Sequence, residues 1–315
     1  MSKETAKRPV PAVGRRRPVR LPEVGEQTLP NGLRVIAARR PGVPRFEVRL
    51  KIPIVRDGEP ANAARQTVLA ETLLSGTPEL SSVEIAEAAQ RLGGSLSTSS
   101  DVEWVVLSGS ALATGLRPFL ELMGTIVRDA AFPSDEVAVE RERVAQEIVL
   151  ARSQPEQIAR DALVRRLFGH HPYGRGTPRP EAVAHVSAPA LRELHEQAIR
   201  PPGSVLVVVG DVGLGRVAEA AERAFSTWGA GQRKGRRAGG ALLSAPAPPR
   251  PGPLLLVDRP GAVQSNIRLA GRAVPRSHGD FPALALANAI YGGYFTSRLV
   301  DNIRERRGYT YSPGS

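Results

Sequence analysis

TLPNGLRVIAARRPGVPRFEVRLKIP, residues 28–53, sets the architecture. Asn31-Gly32 is a tight-turn pair, and beyond it Leu33, Val35 and Ala37 alternate with Arg34, Ile36 and Ala38. A period of two predicts a strand with one face turned to a core. Phe46, Val48, Leu50 and Ile52 alternate with Glu47, Arg49 and Lys51, which predicts a second strand of the same kind. Downstream, residues 63–74 (AARQTVLAETLL) read as a helix ended by Ser75-Gly76-Thr77. Ser81 or Ser82 caps a helix over 83–92, closed by Gly93-Gly94. A strand is expected over Val102–Leu107. Helices follow over 115–130, 134–153 (capped by Ser134), 155–168, 187–198 and 213–226. Between the last two, Val205–Val209 is an unbroken apolar run, the mark of a strand inside a sheet.

The chain has 315 residues, enough for about two domains and a sizeable core. No cysteine is present, which excludes disulfides, thiolate metal sites and cysteine nucleophiles. Aromatic residues make up 4%, too few to stack successive bases of a single strand. The net charge of +12 is concentrated: residues 1–25 and 229–253 carry +5 each. The first is Arg/Pro-rich and the second Gly/Pro-rich, so we read a basic disordered tail (1–24) and a linker (230–253) rather than a specific nucleic-acid site. No apolar run approaches the roughly 20 residues of a membrane span. The N-terminus lacks the apolar h-region of a secretory signal, so the chain is expected in the cytoplasm.

The linker divides a domain at 25–229 from a short piece at 254–315. The short piece repeats the same order: strands at Leu254–Val257 and Ser265–Gly271, then helices at 281–291 and 299–306. Those 62 residues are far fewer than the first domain, so a second, similar domain is expected to be incomplete, in a fragment or a truncated product.

Several strings, in this order and spacing, resemble the pitrilysin/insulinase family of inverted-motif zinc peptidases. They are Leu29-Pro30-Asn31-Gly32-Leu33-Arg34-Val35, Leu92-Gly93-Gly94-Ser95-Leu96, His171-Pro172-Tyr173-Gly174 and Val207-Val208-Val209-Gly210-Asp211-Val212. The last is Phe295-Thr296-Ser297-Arg298-Leu299, leading on to Arg304 and Gly308-Tyr309-Thr310-Tyr311-Ser312. The resemblance implies an α+β fold, a mixed sheet covered by helices on one face, in paired domains that enclose a chamber for unfolded peptides.

The family carries His-x-x-Glu-His on the first helix, nine residues before a Gly-Thr pair. The histidines hold zinc from one helical face and the glutamate activates the metal-bound water. Counting back from Gly76-Thr77 places the motif on Thr67-Val68-Leu69-Ala70-Glu71. Both histidines are replaced, by Thr67 and Glu71, and the base by Ala70, so no catalytic residue is retained there. Residues 1–169 contain no histidine at all. The third ligand of the family matches Glu147, which reads as an exposed or arginine-paired helix residue; a Glu71/Glu147 pair alone makes a poor zinc site. The histidines at 170, 171, 185, 195 and 278 have no ligand spacing and read as structural.

A second family element is an Arg and a Tyr, seven residues apart, that bond the peptide around the scissile carbonyl. They match Arg304 and Tyr311. The resemblance therefore implies a non-catalytic subunit of a heterodimeric peptidase, with no cofactor in this chain. A zinc-bearing pitrilysin-like partner would supply the metal, and the two would share an unfolded peptide substrate. The alternative is a pseudoenzyme acting as a scaffold or peptide-binding module. A neighbouring gene for a similar chain with an intact motif would favour the former.

Overall fold

The computed structural model describes residues 14, 21–54, 60–229, 243–249 and 252–315. Most of the basic tail and most of the Gly/Pro/Arg linker lie outside the described residues. The chain divides into two compact units, Met1–Pro246 and Ala247–Ser315.

The first unit is built on six strands: β1 (Glu23–Thr28), β2 (Arg34–Arg39), β3 (Arg45–Pro53), β4 (Ser95–Ser100), β5 (Trp104–Leu112) and β6 (Val205–Gly210). Their order across the sheet is β1-β2-β6-β3-β5-β4. β2 and β6 run parallel and every other pair is antiparallel, so the sheet is mixed. The alternation of residues 33–52 becomes the register. Leu206 pairs with Val35 on one side and Leu50 on the other, and Leu50 pairs in turn with Leu107. All four are buried, whereas Arg45, Glu47 and Arg49 of β3 lie on the exposed face. The Asn31-Gly32 turn works as expected, with Gly32 at φ 91°. Asn31 also donates to the carbonyls of Phe225 (2.7 Å) and Trp228, tying the turn to the end of the last helix of the unit.

Eight α-helices accompany this sheet: α1 (Pro60–Thr72), α2 (Ser82–Arg91), α3 (Leu116–Asp129), α4 (Ser134–Ser153), α5 (Pro155–Phe168), α6 (Pro180–Ala184), α7 (Ala188–Ala198) and α8 (Leu214–Phe225). The α3–α8 pair packs backbone to backbone. A Cβ on Gly124 would lie 2.2 Å from the Ala224 carbonyl, and one on Gly109 of β5 would lie 2.6 Å from the Phe119 ring of α3. Ser81, not Ser82, caps α2: its Oγ accepts from the Glu84 amide (3.3 Å), and the Glu84 carboxylate accepts from the Ser81 amide (2.8 Å). Ser134 is not a cap. It is the first residue of α4, after Pro133, and caps nothing with its side chain. The strand expected from Val102 starts instead at Trp104, because Asp101 Oδ1 accepts from the amides of Glu103 and Trp104 (2.8 Å each) and closes a turn first. β1 and β4 are additional strands. Glu23 and Val24 belong to β1 rather than to a tail.

The second unit is helical. α9 (Phe281–Asn288) widens into a π-helix at Ala289–Gly293, and α10 (Arg298–Val300) into another at Asp301–Arg306. The strands expected at Leu254–Val257 and Ser265–Gly271 are not formed. No described strand of this unit offers them a ladder, and their side chains stay in water: Leu254 is 91% and Leu269 89% exposed.

Candidate functional site

α1 buries Ala64, Val68, Leu69 and Thr72. That leaves Thr67 and Glu71, one turn apart, on its partly open face. Thr67 spends its hydroxyl on the Ala63 carbonyl (3.0 Å), a bond internal to the helix. Ala70 is 1% exposed, so a carboxylate at that position would be desolvated in the core.

Opposite Glu71, α4 presents Glu140, Arg143 and Glu147 at helical spacing. The Arg143 guanidinium bonds all three neighbouring carboxylates: Glu71 at 2.8 Å, Glu140 at 2.7 Å and Glu147 at 2.5 Å. The hydrogen bond to Glu140 contributes most to raising the Arg143 pKa above its already high ordinary value, despite partial burial. Glu71, at a position where the family has histidine, and Glu147, which matches the carboxylate ligand, thus converge on a guanidinium. The residues present do not fit zinc: a threonine and an arginine-held carboxylate stand where imidazoles are needed. Among the described residues no group of three His, Cys, Asp or Glu is placed to hold a metal ion. Arg143 lies outside the motifs read in the sequence. Its spacing from Glu140 and Glu147 was the available signal.

Thr67 also borders a cavity of about 390 Å³. Its walls come from Gln66 and Thr67 of α1, from Ser100–Val102 after β4, from Gln157, Arg160, Asp161 and Val164 of α5, and from residues 172–178. Tyr173 on this wall donates to Glu103 (2.9 Å). Burial, then that carboxylate, raise the Tyr173 pKa, keeping the phenol protonated. No sequence motif announced the cavity, since its walls come from seven separated segments, Ile54, Leu194 and Leu243 among them.

In the second unit, Arg304 and Tyr311 are brought together. The Arg304 guanidinium lies 4.1 Å from the Tyr311 ring centroid and 4.5 Å from that of Phe295. Its Nε pairs with Glu305 at 3.2 Å. Phe295, unassigned in the sequence, completes an aromatic clasp around the guanidinium.

The histidines are engaged elsewhere. His195 is buried, donates through Nε2 to the Val127 carbonyl (3.0 Å) and meets the edge of Phe132. Burial lowers its pKa to about 4. His171 accepts from the Tyr173 amide and donates to the Ser244 carbonyl. His185 Nδ1 bonds the Glu181 carbonyl (2.6 Å).

Residues 68–181 match the insulinase (peptidase family M16) model, and residues 185–315 match the peptidase M16 inactive domain. An uncharacterized zinc protease of Mycobacterium leprae is 29% identical over 296 residues, covering 90% of this chain and 64% of its own length. One of Mycobacterium bovis is 30% identical, covering 90% of this chain and 65% of its own length. The chain thus spans just under two thirds of these relatives. A crystal structure of a peptidase M16 inactive domain from Pseudomonas fluorescens superposes with a TM-score of 0.75 at 21% identity, covering 92% of this chain and 69% of the other. Family models on both sides of residue 183, zinc-protease relatives and the shared α+β fold together place this chain in the M16, or insulinase/pitrilysin, peptidase family.

Proposed function

We propose that this chain is the non-catalytic subunit of a two-chain M16 peptidase. It contributes half of a chamber for unfolded peptides and the Arg304/Tyr311 pair, while a zinc-bearing partner contributes the metal, the base and the attacking water. The observation that carries the reading is Arg143 bound to Glu71 and Glu147, beside Thr67 and Ala70 at the other motif positions. Of the zinc half of the chemistry only Glu147 matches, and it is paired with Arg143, whereas both members of the Arg/Tyr pair match. Peptide hydrolysis builds negative charge on the carbonyl oxygen. A tyrosine hydroxyl and the edge of a stacked guanidinium are suited to receive it.

The test combines this chain with an M16 chain of the same genome that has an intact His-x-x-Glu-His. Alone, this chain is expected to retain no stoichiometric zinc after dialysis and to cleave no peptide. The pair is expected to cleave, with Arg304→Ala or Tyr311→Phe lowering kcat by roughly 10²-fold or more while melting curves stay unchanged. Zinc retention or cleavage by this chain alone overturns the reading. Equal rates for wild type and both variants favour the scaffold alternative, which has one point of support: Arg304 already has Phe295, Tyr311 and Glu305 as partners.

A further inference from the structure

We infer that the cavity beside Thr67 takes a carboxylate of the bound peptide, held by Arg160 and Arg175. The inference rests on the peptide-chamber reading above and adds a preference to it. Both arginines line the cavity, the exposed Arg160 from α5 and the half-buried Arg175 from the turn after Tyr173. Neither makes a side-chain hydrogen bond, ion pair or ring contact with any described residue.

Their neighbours differ. Arg141 donates to the Val186 carbonyl, Arg152 donates to the Thr177 carbonyl, and Arg143 is bound by three carboxylates. Two acidic residues share the cavity without pairing with the arginines. Asp161 accepts from Gln157 (2.8 Å), which is itself fixed by Thr177 (2.9 Å). Asp101 accepts the two amides of its turn.

The cavity is therefore lined by two arginines whose side chains have no partner among the described residues and by two carboxylates that already accept from N–H donors. Gln157, Arg160, Asp161 and Val164 stand at i, i+3, i+4 and i+7, so the helix directs one face at the cavity. Ile54, Val102 and Val164 supply an apolar wall for the methylenes of a side chain. A volume of about 390 Å³ is at the lower end of ligand clefts and suits a residue or two of a peptide. Guanidinium forks recognise a carboxylate through paired N–H donors. That carboxylate comes either from a Glu or Asp side chain or from a free peptide C-terminus.

The experiment measures binding of rhodamine-labelled short unstructured peptides to the full chain by fluorescence anisotropy. One core sequence is used with a central Glu or Gln, each with a C-terminal acid or amide. The peptide with Glu, the free acid, or both is expected to bind about tenfold tighter than the Gln amide. The Glu arm and the acid arm identify the source of the carboxylate. Arg160→Gln with Arg175→Gln is expected to remove that advantage, leave the Gln amide unchanged and leave the melting curve in place. Equal binding of all four peptides, or an acid preference that survives both substitutions, overturns the inference and leaves the peptide-chamber reading standing. No binding by any peptide removes both.

Discussion

Arg143 and Arg304 carry the same guanidinium into opposite surroundings. Arg143 is clamped by Glu71, Glu140 and Glu147, and its charge is compensated inside the protein. Arg304 is held by aromatic faces, Phe295 and Tyr311, and by the single carboxylate of Glu305. Carboxylates consume the N–H donors of an arginine, whereas stacking uses its faces and leaves the edge available. The region that resembles a metal centre holds a partly exposed ion cluster, while the region that resembles a substrate clamp holds its guanidinium against two aromatic rings. Loss of the zinc motif in one region is therefore no evidence that the other is inert.

The largest effect tests whether the α1–α4 region is a metal centre that lost its ligands. Thr67→His with Glu71→His places two imidazoles one turn apart on the open face of α1, facing Glu147. This double variant is expected to bind stoichiometric zinc with micromolar or tighter affinity, about −8 kcal/mol, while wild type binds none. Adding Arg143→Leu frees Glu147 and is expected to tighten binding further. Metal analysis and competition with a chromophoric chelator provide the measurement. Failure of both variants to hold zinc would mean that the two helices do not preserve the family geometry. Hydrolytic activity is not expected to return, because Ala70 is buried where the base would stand.

Much of this was legible in residues 28–53, because alternation records which face of a strand is buried; β2 and β3 follow it and flank β6, whose unbroken apolar run marked it as a strand inside the sheet. β1 (EVGEQT) and β4 (SLSTSS) were not legible. They are the two edge strands, mostly exposed, and are recruited by backbone pairing to a neighbour rather than by apolar side chains. The strands expected at 254–257 and 265–271 fail for the converse reason: alternation states what a strand would bury, not that a sheet exists to receive it. At the candidate site, the lost motif was visible by counting from Gly76-Thr77. The Arg143–Glu71 bond was not, because it joins residues 72 positions apart on different helices. The Arg160/Arg175 cavity was hidden for the same reason.

A second test separates loss of fold from loss of site. His195 sits in the body of the first unit with its pKa lowered by burial from 6.5 to about 4. The unfolded chain therefore takes up the proton first. Stability is full above pH 6.5 and is lost as the pH falls toward 4, at up to about 1.4 kcal/mol per pH unit and roughly 3 kcal/mol in all. His195→Gln keeps a donor for the Val127 carbonyl and removes the titration. Its stability, measured by urea denaturation across this range, is expected to fall less steeply than that of wild type. Parallel profiles would show that other groups control the acid transition.

The smallest effect bears most directly on the two arginines. Arg143 is 42% solvent-exposed on its side chain, so its ion pairs are screened, and the network is expected to contribute only about 1 kcal/mol. Arg143→Ala should lower the melting temperature by a few degrees at low salt. The deficit should shrink toward 1 M salt, where the screening length falls to about 3 Å. Arg143→Lys should recover part of the loss, since a point charge still meets the carboxylates without the planar fork. In the reconstituted pair, Arg143→Ala is expected to leave kcat within about twofold, because its N–H groups are turned to its own carboxylates and none is offered to substrate. A loss of rate equal to that of Arg304→Ala would break the comparison, since it would place the internal ion cluster in the path of the reaction.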